Sequence, residues 1–218
     1  MSNPTIEKVP VWNWVFVPFV ITLAVTVLRL MGELNQWSKF WFNPDAGGGA
    51  APIGISWLPP IFGLYFGWKL AKAGQAPPKA GRTILWAISG FALMIVCGYV
   101  ATLLKVPAIG MGIVFGAASI LGAYMAYLPW PAMGRLQFAY ALVARVPVAV
   151  LMLFAIYGNW GTHYDVAPPD FPQMGLFSKW LIIGLLPQLT VWIAYTMIVG
   201  AIFGAIMAKL AARKAPVS

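Results

Sequence analysis

Arg145 stands inside an apolar stretch, ten positions after Arg135. On a helix that separation is about 15 Å of depth. A guanidinium so deep in hydrocarbon costs at least about 2.5 kcal/mol, and such residues face a bundle interior or a wet cavity. No carboxylate lies at matching depth in any other apolar stretch. Ser119, Thr196 and its neighbour Tyr195 count in to a similar depth. Two readings stay open. In one, hydroxyls, a carbonyl freed near Pro147 and a water hold the arginine. In the other, it forms a site for an anion or a lipid phosphate, both of which a guanidinium pairs with well. Gln188, just after Pro187, lies roughly level with Thr22. Its alternatives are a hydrogen bond bridging two helices and a ligand contact. Arg145, Ser119, Tyr195, Thr196 and Gln188 are therefore the candidate ligand-binding residues.

A second polar group lies outside the apolar stretches. The segment Asn159-Trp-Gly-Thr-His-Tyr-Asp carries Asn159, His163 and Asp165. His163 and Asp165 suit an acid–base pair or half a metal site. They equally suit the backbone of a tight turn. Convergence with Glu33 or Asp45 would favour chemistry. Arg29 and Glu33, four apart, suit a local ion pair. No catalytic residue and no metal site is assigned from the sequence. One His and one Cys, Cys97, exclude a bis-histidine haem, a multi-histidine metal cage and an internal disulfide. The sequence has no P-loop, zincin, dinucleotide-turn or C-x-x-C pattern, and no cofactor is expected.

The elements that must position these residues are six apolar stretches. They run about 11–31, 53–71, 83–104, 108–128, 136–157 and 180–208. A hydrocarbon core about 30 Å thick needs about 20 helical residues. The expected fold is all-α: a polytopic bundle of six transmembrane helices, one domain over 1–218, with the first helix uncleaved. Lys8, Lys69, Lys72, Lys79, Arg82, Arg135, Lys209, Arg213 and Lys214 flank one side, against Lys39, Lys105 and Lys179 on the other. The positive-inside rule then places both termini in the cytoplasm. Glu33, Asp45, Asp165 and Asp170 fall outside, and Glu7 inside.

Two longer connections become short extracytoplasmic caps. They mix aromatics with Pro, Gly and Asp, and are expected to pack together through Trp37, Trp41, Phe42, Trp160, Tyr164 and Phe171. Three stretches hold GxxxG: Gly63 with Gly67, Gly112 with Gly116, and Gly200 with Gly204. Each lets a neighbouring backbone approach, within the chain or in a second copy. Pro18, the pair Pro59 and Pro60, Pro147 and Pro187 are expected to kink four helices; Pro147 and Pro187 would free the carbonyls of Val143 and Ile183.

The chain is 61% hydrophobic and 9% charged, against about 25% charged residues in soluble domains. The bilayer is its expected solvent, most simply a bacterial plasma membrane. The net charge of +9 is mainly a topology signal that also attracts anionic lipid, and not a nucleic-acid footprint. Three functions fit. The first is binding or transport of a small molecule, ion or lipid through a cavity at Arg145. The second is a non-catalytic subunit of a larger membrane complex, joined through GxxxG faces. The third is an enzyme acting on lipid near the outer loops.

Overall fold

The computed structural model describes residues 10–48, 51–169 and 171–213. Glu7, Lys8, Asp170 and Lys214, used in the charge argument, lie outside them. The described residues are all-helical, with no strand among them. The helices are α1 (Val11–Leu34), α2 (Leu58–Lys72), α3 (Ala80–Leu103), α4 (Ala108–Tyr127) and α5 (Pro131–Gly158). A broken helix follows: α6 (Leu176–Lys179), a π-helical segment (Trp180–Leu185), α7 (Leu186–Leu189) and α8 (Val191–Arg213).

Five helices are long and apolar enough to cross a membrane: α1, α3, α4, α5 and the broken helix taken as a whole. The second apolar stretch is shorter than expected, because α2 has only 15 residues. That is about 22 Å of helix, less than a hydrocarbon core. The reason is the proline pair. Pro59 and Pro60 occupy the first turn of α2 and do not kink it, because a proline there lacks only an N–H with no helical partner. A 3-10 turn, Ile55–Trp57, precedes them.

The broken helix sits at the centre. α8 touches α2, α3, α4 and α5, while α1 packs on α5. The α2–α8 contact is the most extensive and has a glycine cause. A methyl at Gly63 would lie 2.7 Å from the Gly200 carbonyl oxygen, and one at Gly67 would run into the Gly204 carbonyl. Those two GxxxG notches therefore face each other inside one chain. Gly112 is different, with nothing within 4 Å of the same added methyl. Gly90 and Gly122 make another close approach, between α3 and α4.

Phe62, Phe66, Leu70, Met133, Leu136 and Tyr140 fill the space between α2 and α5 near the short connections 73–79 and 128–130, which lie at one end. At that end Lys69 and Lys72 lie over the rings of Trp14, Tyr65 and Trp68, and Arg82 lies over Trp86. Such amphipathic side chains suit the border between hydrocarbon and water.

Candidate functional site

The opposite end, which carries the two long connections, is built on α1. Its buried face is polar. Thr22, Thr26, Arg29 and Glu33 follow one another at spacings of four, three and four, and all are buried. Thr22 and Thr26 donate to the carbonyls of Pro18 (2.7 Å) and Thr22 (2.9 Å), so their hydroxyls are satisfied within the helix. Tyr140 donates its hydroxyl to Thr22 Oγ1 at 2.9 Å. Thr22 therefore pairs with α5 and not with Gln188.

Glu33 is a hub. Arg29 Nε donates to Glu33 Oε1 at 2.8 Å. His163 donates its backbone N–H to Oε2 (2.9 Å) and its Nδ1–H to Oε1 (2.6 Å). Arg29 Nη2 also donates to the carbonyls of Gly48 (2.9 Å) and Asn43 (3.2 Å). A methyl on Gly48 would collide with that nitrogen, and Gly48 has φ +71°. Only glycine allows this backbone so close to the guanidinium. The hub thus ties the first long connection to the second. Among the described residues the ring contacts stay within each connection: Trp37 with Phe42, Phe40 with Trp41, and His163 with Tyr164. The link between the connections runs through charge, since a buried carboxylate demands partners more strongly than a ring demands cover.

Asp165 does not join His163. Its carboxylate accepts from the N–H of Gly161 (2.9 Å), the N–H of Thr162 (2.7 Å) and the Thr162 hydroxyl (2.7 Å). It closes a turn. Asp45 pairs with exposed Lys39 at 3.0 Å. Asn159 is exposed and ends α5 at φ +48°, a left-handed position that asparagine tolerates. Burial lowers the His163 pKa below its ordinary value and keeps the imidazole neutral, although Glu33 pulls the other way. Burial, followed by the Glu33 charge, raises that of Tyr164. Among the described residues no three His, Cys, Asp or Glu side chains form a metal-holding group.

Below the hub lies a cavity of about 440 Å³. Thr26, Arg29 and His163 line its upper part, and Arg145 and Gln188 also reach it. Its apolar walls include Phe115, Val148, Met152 and Trp192. Gly47, Val166, Pro168 and Phe171 from the long connections frame it too. Gly112 belongs to this wall, which is why its small size meets no helix.

Arg145 is only 4% exposed. Its guanidinium lies over the Trp192 ring, 4.7 Å from the centroid. It makes no hydrogen bond or ion pair with the described residues, and its Nε is fully enclosed without a partner. Ser119 and Thr196 do not hold it. Both hydroxyls donate within their own helices, to the carbonyls of Phe115 and Trp192. Tyr195 donates to the Ser56 carbonyl at 3.1 Å. None of the three lines the cavity. Equal depth along a helix does not fix the direction a side chain faces. Gln188 does line it, with Oε1 unpartnered and Nε2 only 3.7 Å from Met152 Sδ.

The break in the last helix shapes one wall. Leu186 N–H reaches the carbonyl of Leu181, five residues back. Pro187 then offers no N–H to Ile182 or Ile183, and both line the cavity. Such π-bulges recur at functional sites. Of the candidate ligand-binding residues the structure brings Arg145 and Gln188 to the cavity; Thr26, Arg29, Trp192 and Pro187 line it too and were not placed there from the sequence. The four–three–four polar spacing on α1 carries a signal for the first two. For Trp192 the signal is weaker, its position one turn before Tyr195 and Thr196.

No known protein family, curated protein or solved structure matches the chain.

Proposed function

We propose that this is a multi-pass membrane protein that binds a small anionic molecule at Arg145 and takes part in its transport. The observation that carries the reading is a buried guanidinium that makes no hydrogen bond or ion pair with the described residues and lines a cavity of about 440 Å³. A cationic group so deep is costly unless something pairs with it. Proteins place few polar groups in mostly apolar ligand pockets, and this cavity has that character. In this reading α2 and its leading 3-10 turn form a sixth, short crossing. Both termini face the cytoplasm of a bacterial cell, and the long connections face outward as a cap over the cavity mouth. The excess of basic residues at the short connections supports that orientation.

The test is thiol labelling in whole cells, in a Cys97→Ser background. Val148→Cys in the cavity wall should react with a membrane-impermeant reagent added outside, and Gln75→Cys should not. The reverse pattern overturns the orientation. A Val148→Cys protein that stays unlabelled from either side overturns the open cavity.

A second reading has one observation of its own. His163 and Glu33 lie 2.6 Å apart beside the same cavity, as an acid–base pair acting on an outer-leaflet lipid would. Asp165 and Asp45 are committed elsewhere, so the pair lacks the further carboxylate such chemistry would recruit. Ligand binding is the better supported function.

A further inference from the structure

The cavity's own chemistry narrows its occupant. We infer that the ligand is a monoanionic amphiphile: one carboxylate-type charge on the edge of Arg145, with a compact apolar body against Phe115, Val148, Met152 and Trp192. This rests on the reading that the cavity binds a ligand.

Charge comes first. Two arginines line the cavity, Arg29 and Arg145. Arg29 is committed to Glu33 and to two carbonyls. His163 is held neutral by burial. Arg145 is left as one uncompensated positive charge. A neutral occupant would leave that charge bare. A dianion would leave a buried negative charge in its place, and unpaired buried charge is expensive either way. A single negative charge closes the account.

Shape comes second. Trp192 covers one face of the guanidinium at 4.7 Å. Nε is enclosed, so the edge that remains is the one carrying the two terminal nitrogens, which make no hydrogen bond with the described residues. That edge is the fork that meets a planar carboxylate through two parallel hydrogen bonds. Gln188 adds an amide in the same cavity whose oxygen has no partner among the described residues and whose nitrogen has only the Met152 sulfur. Its oxygen and nitrogen ends exchange by a simple turn, so it presents N–H to an anion.

Size and polarity come third. At about 30 Å³ per water-sized group, the cavity holds about fifteen such groups. A two-chain lipid does not fit inside it, whereas a medium-chain or aromatic acid does. Hydrated phosphate or sulfate would lose its water against apolar walls and gain one partner. An apolar body converts those walls into a favourable contact. The same monoanionic chemistry arises in a phosphodiester lipid whose tails remain in the bilayer, so the experiment must separate the two sources.

The experiment is thermal unfolding of the purified full chain in a neutral detergent. The probes are octanoate and 1-naphthoate, with octanol, octyltrimethylammonium and inorganic phosphate beside them. The carboxylates should raise Tm in a saturable way, and the three controls should not. Arg145→Gln should weaken the apparent affinity at least tenfold, Arg145→Lys less, and Gln188→Leu by a few fold, with the ligand-free Tm held within a few degrees. In nanodiscs, a shift from phosphatidylglycerol that Arg145→Gln abolishes, with no shift from octanoate, keeps the monoanion and assigns it to lipid. Equal stabilisation by octanol, stabilisation by phosphate alone, or full carboxylate binding in Arg145→Gln overturns the inference. So does the absence of a shift with every probe and with phosphatidylglycerol. Should Arg145→Gln fail to fold, Gln188→Leu and Arg145→Lys carry the same comparison. External labelling of Val148→Cys is independent of all these probes. A protein labelled there that binds none of them loses this ligand class and keeps its cavity, and an unlabelled one loses the cavity itself.

Discussion

The two halves of this bundle use glycine and polar residues in opposite ways. Toward the short connections, Gly63 and Gly67 bring α2 onto Gly200 and Gly204 of α8. The space left is filled by Phe66, Leu70, Met133 and Leu136, all inaccessible to solvent. Toward the long connections, Gly112 borders empty space, a proline and a π-segment open the last helix, and buried polar groups accumulate. One half is shut by backbone contact, and the other is held open around Arg145. In lipid no hydrophobic force presses helices together, so closeness needs small residues and openness needs polar partners or a ligand. The comparison teaches that GxxxG is not a function by itself. Its meaning depends on what faces it.

The open half should break first at its hub. Glu33→Ala takes the carboxylate partner from buried Arg29, which keeps only its two carbonyls, and the acceptor from the His163 N–H. We expect a loss of about 3–5 kcal/mol, read as a fall in Tm and as protease cutting in the 35–54 and 159–175 connections. Loss of less than a tenth of that would mean water replaces the carboxylate and the hub does not hold the mouth.

The closed half should break at its tightest glycine. Gly67→Ala places a methyl against backbone, which cannot swing aside as a side chain can, and should cost about 1–3 kcal/mol. Gly112→Ala, the same change in the open half, should stay within about 0.5 kcal/mol. Monodisperse yield and Tm of the two variants, measured side by side, sharpen the contrast. Equal effects would erase it.

Gln137 is an exception within the closed half, as is Thr83 at the start of α3. Gln137 is fully buried, wedged against Gly200, and neither amide atom has a partner among the described residues. Unsatisfied buried polar groups cost about 1–3 kcal/mol. Gln137→Leu, close in volume, should therefore raise Tm. If instead stability falls, the amide is engaged, and the closed half holds a polar station of its own.

The smallest effect concerns pH. His163 faces Glu33 and Arg29 from α1, and Asp165 and the Tyr164 ring from its own connection. Burial lowers its folded pKa below that of the unfolded chain. Between those two values the unfolded state binds more protons. Stability is therefore complete above the unfolded value, near 6.5, and falls as pH drops through the folded value. Tm should be level from pH 8 to 7 and decline below. His163→Asn should flatten that difference. An unchanged profile would show that the carboxylates alone set it.

Hydropathy and length by themselves determined the helical class and the rough position of every long helix. Twenty apolar residues admit few other structures in a bilayer. They misjudged α2, because Pro59 and Pro60 read equally well as a kink or as a start. The sequence also singled out Arg145, since a deep arginine is unusual wherever it points, and Gln188 beside Pro187. It grouped Ser119, Tyr195 and Thr196 with them, and these do not line the cavity, because depth follows from counting while facing does not. Only the tertiary structure decided that Glu33 meets His163 across 130 positions, that Asp165 stays in its own turn, and that Trp192 covers Arg145. The reason is physical. Burial in lipid is a property of each residue, and a sequence states it directly. A cavity is a property of which faces several helices turn toward one another, and packing alone sets that.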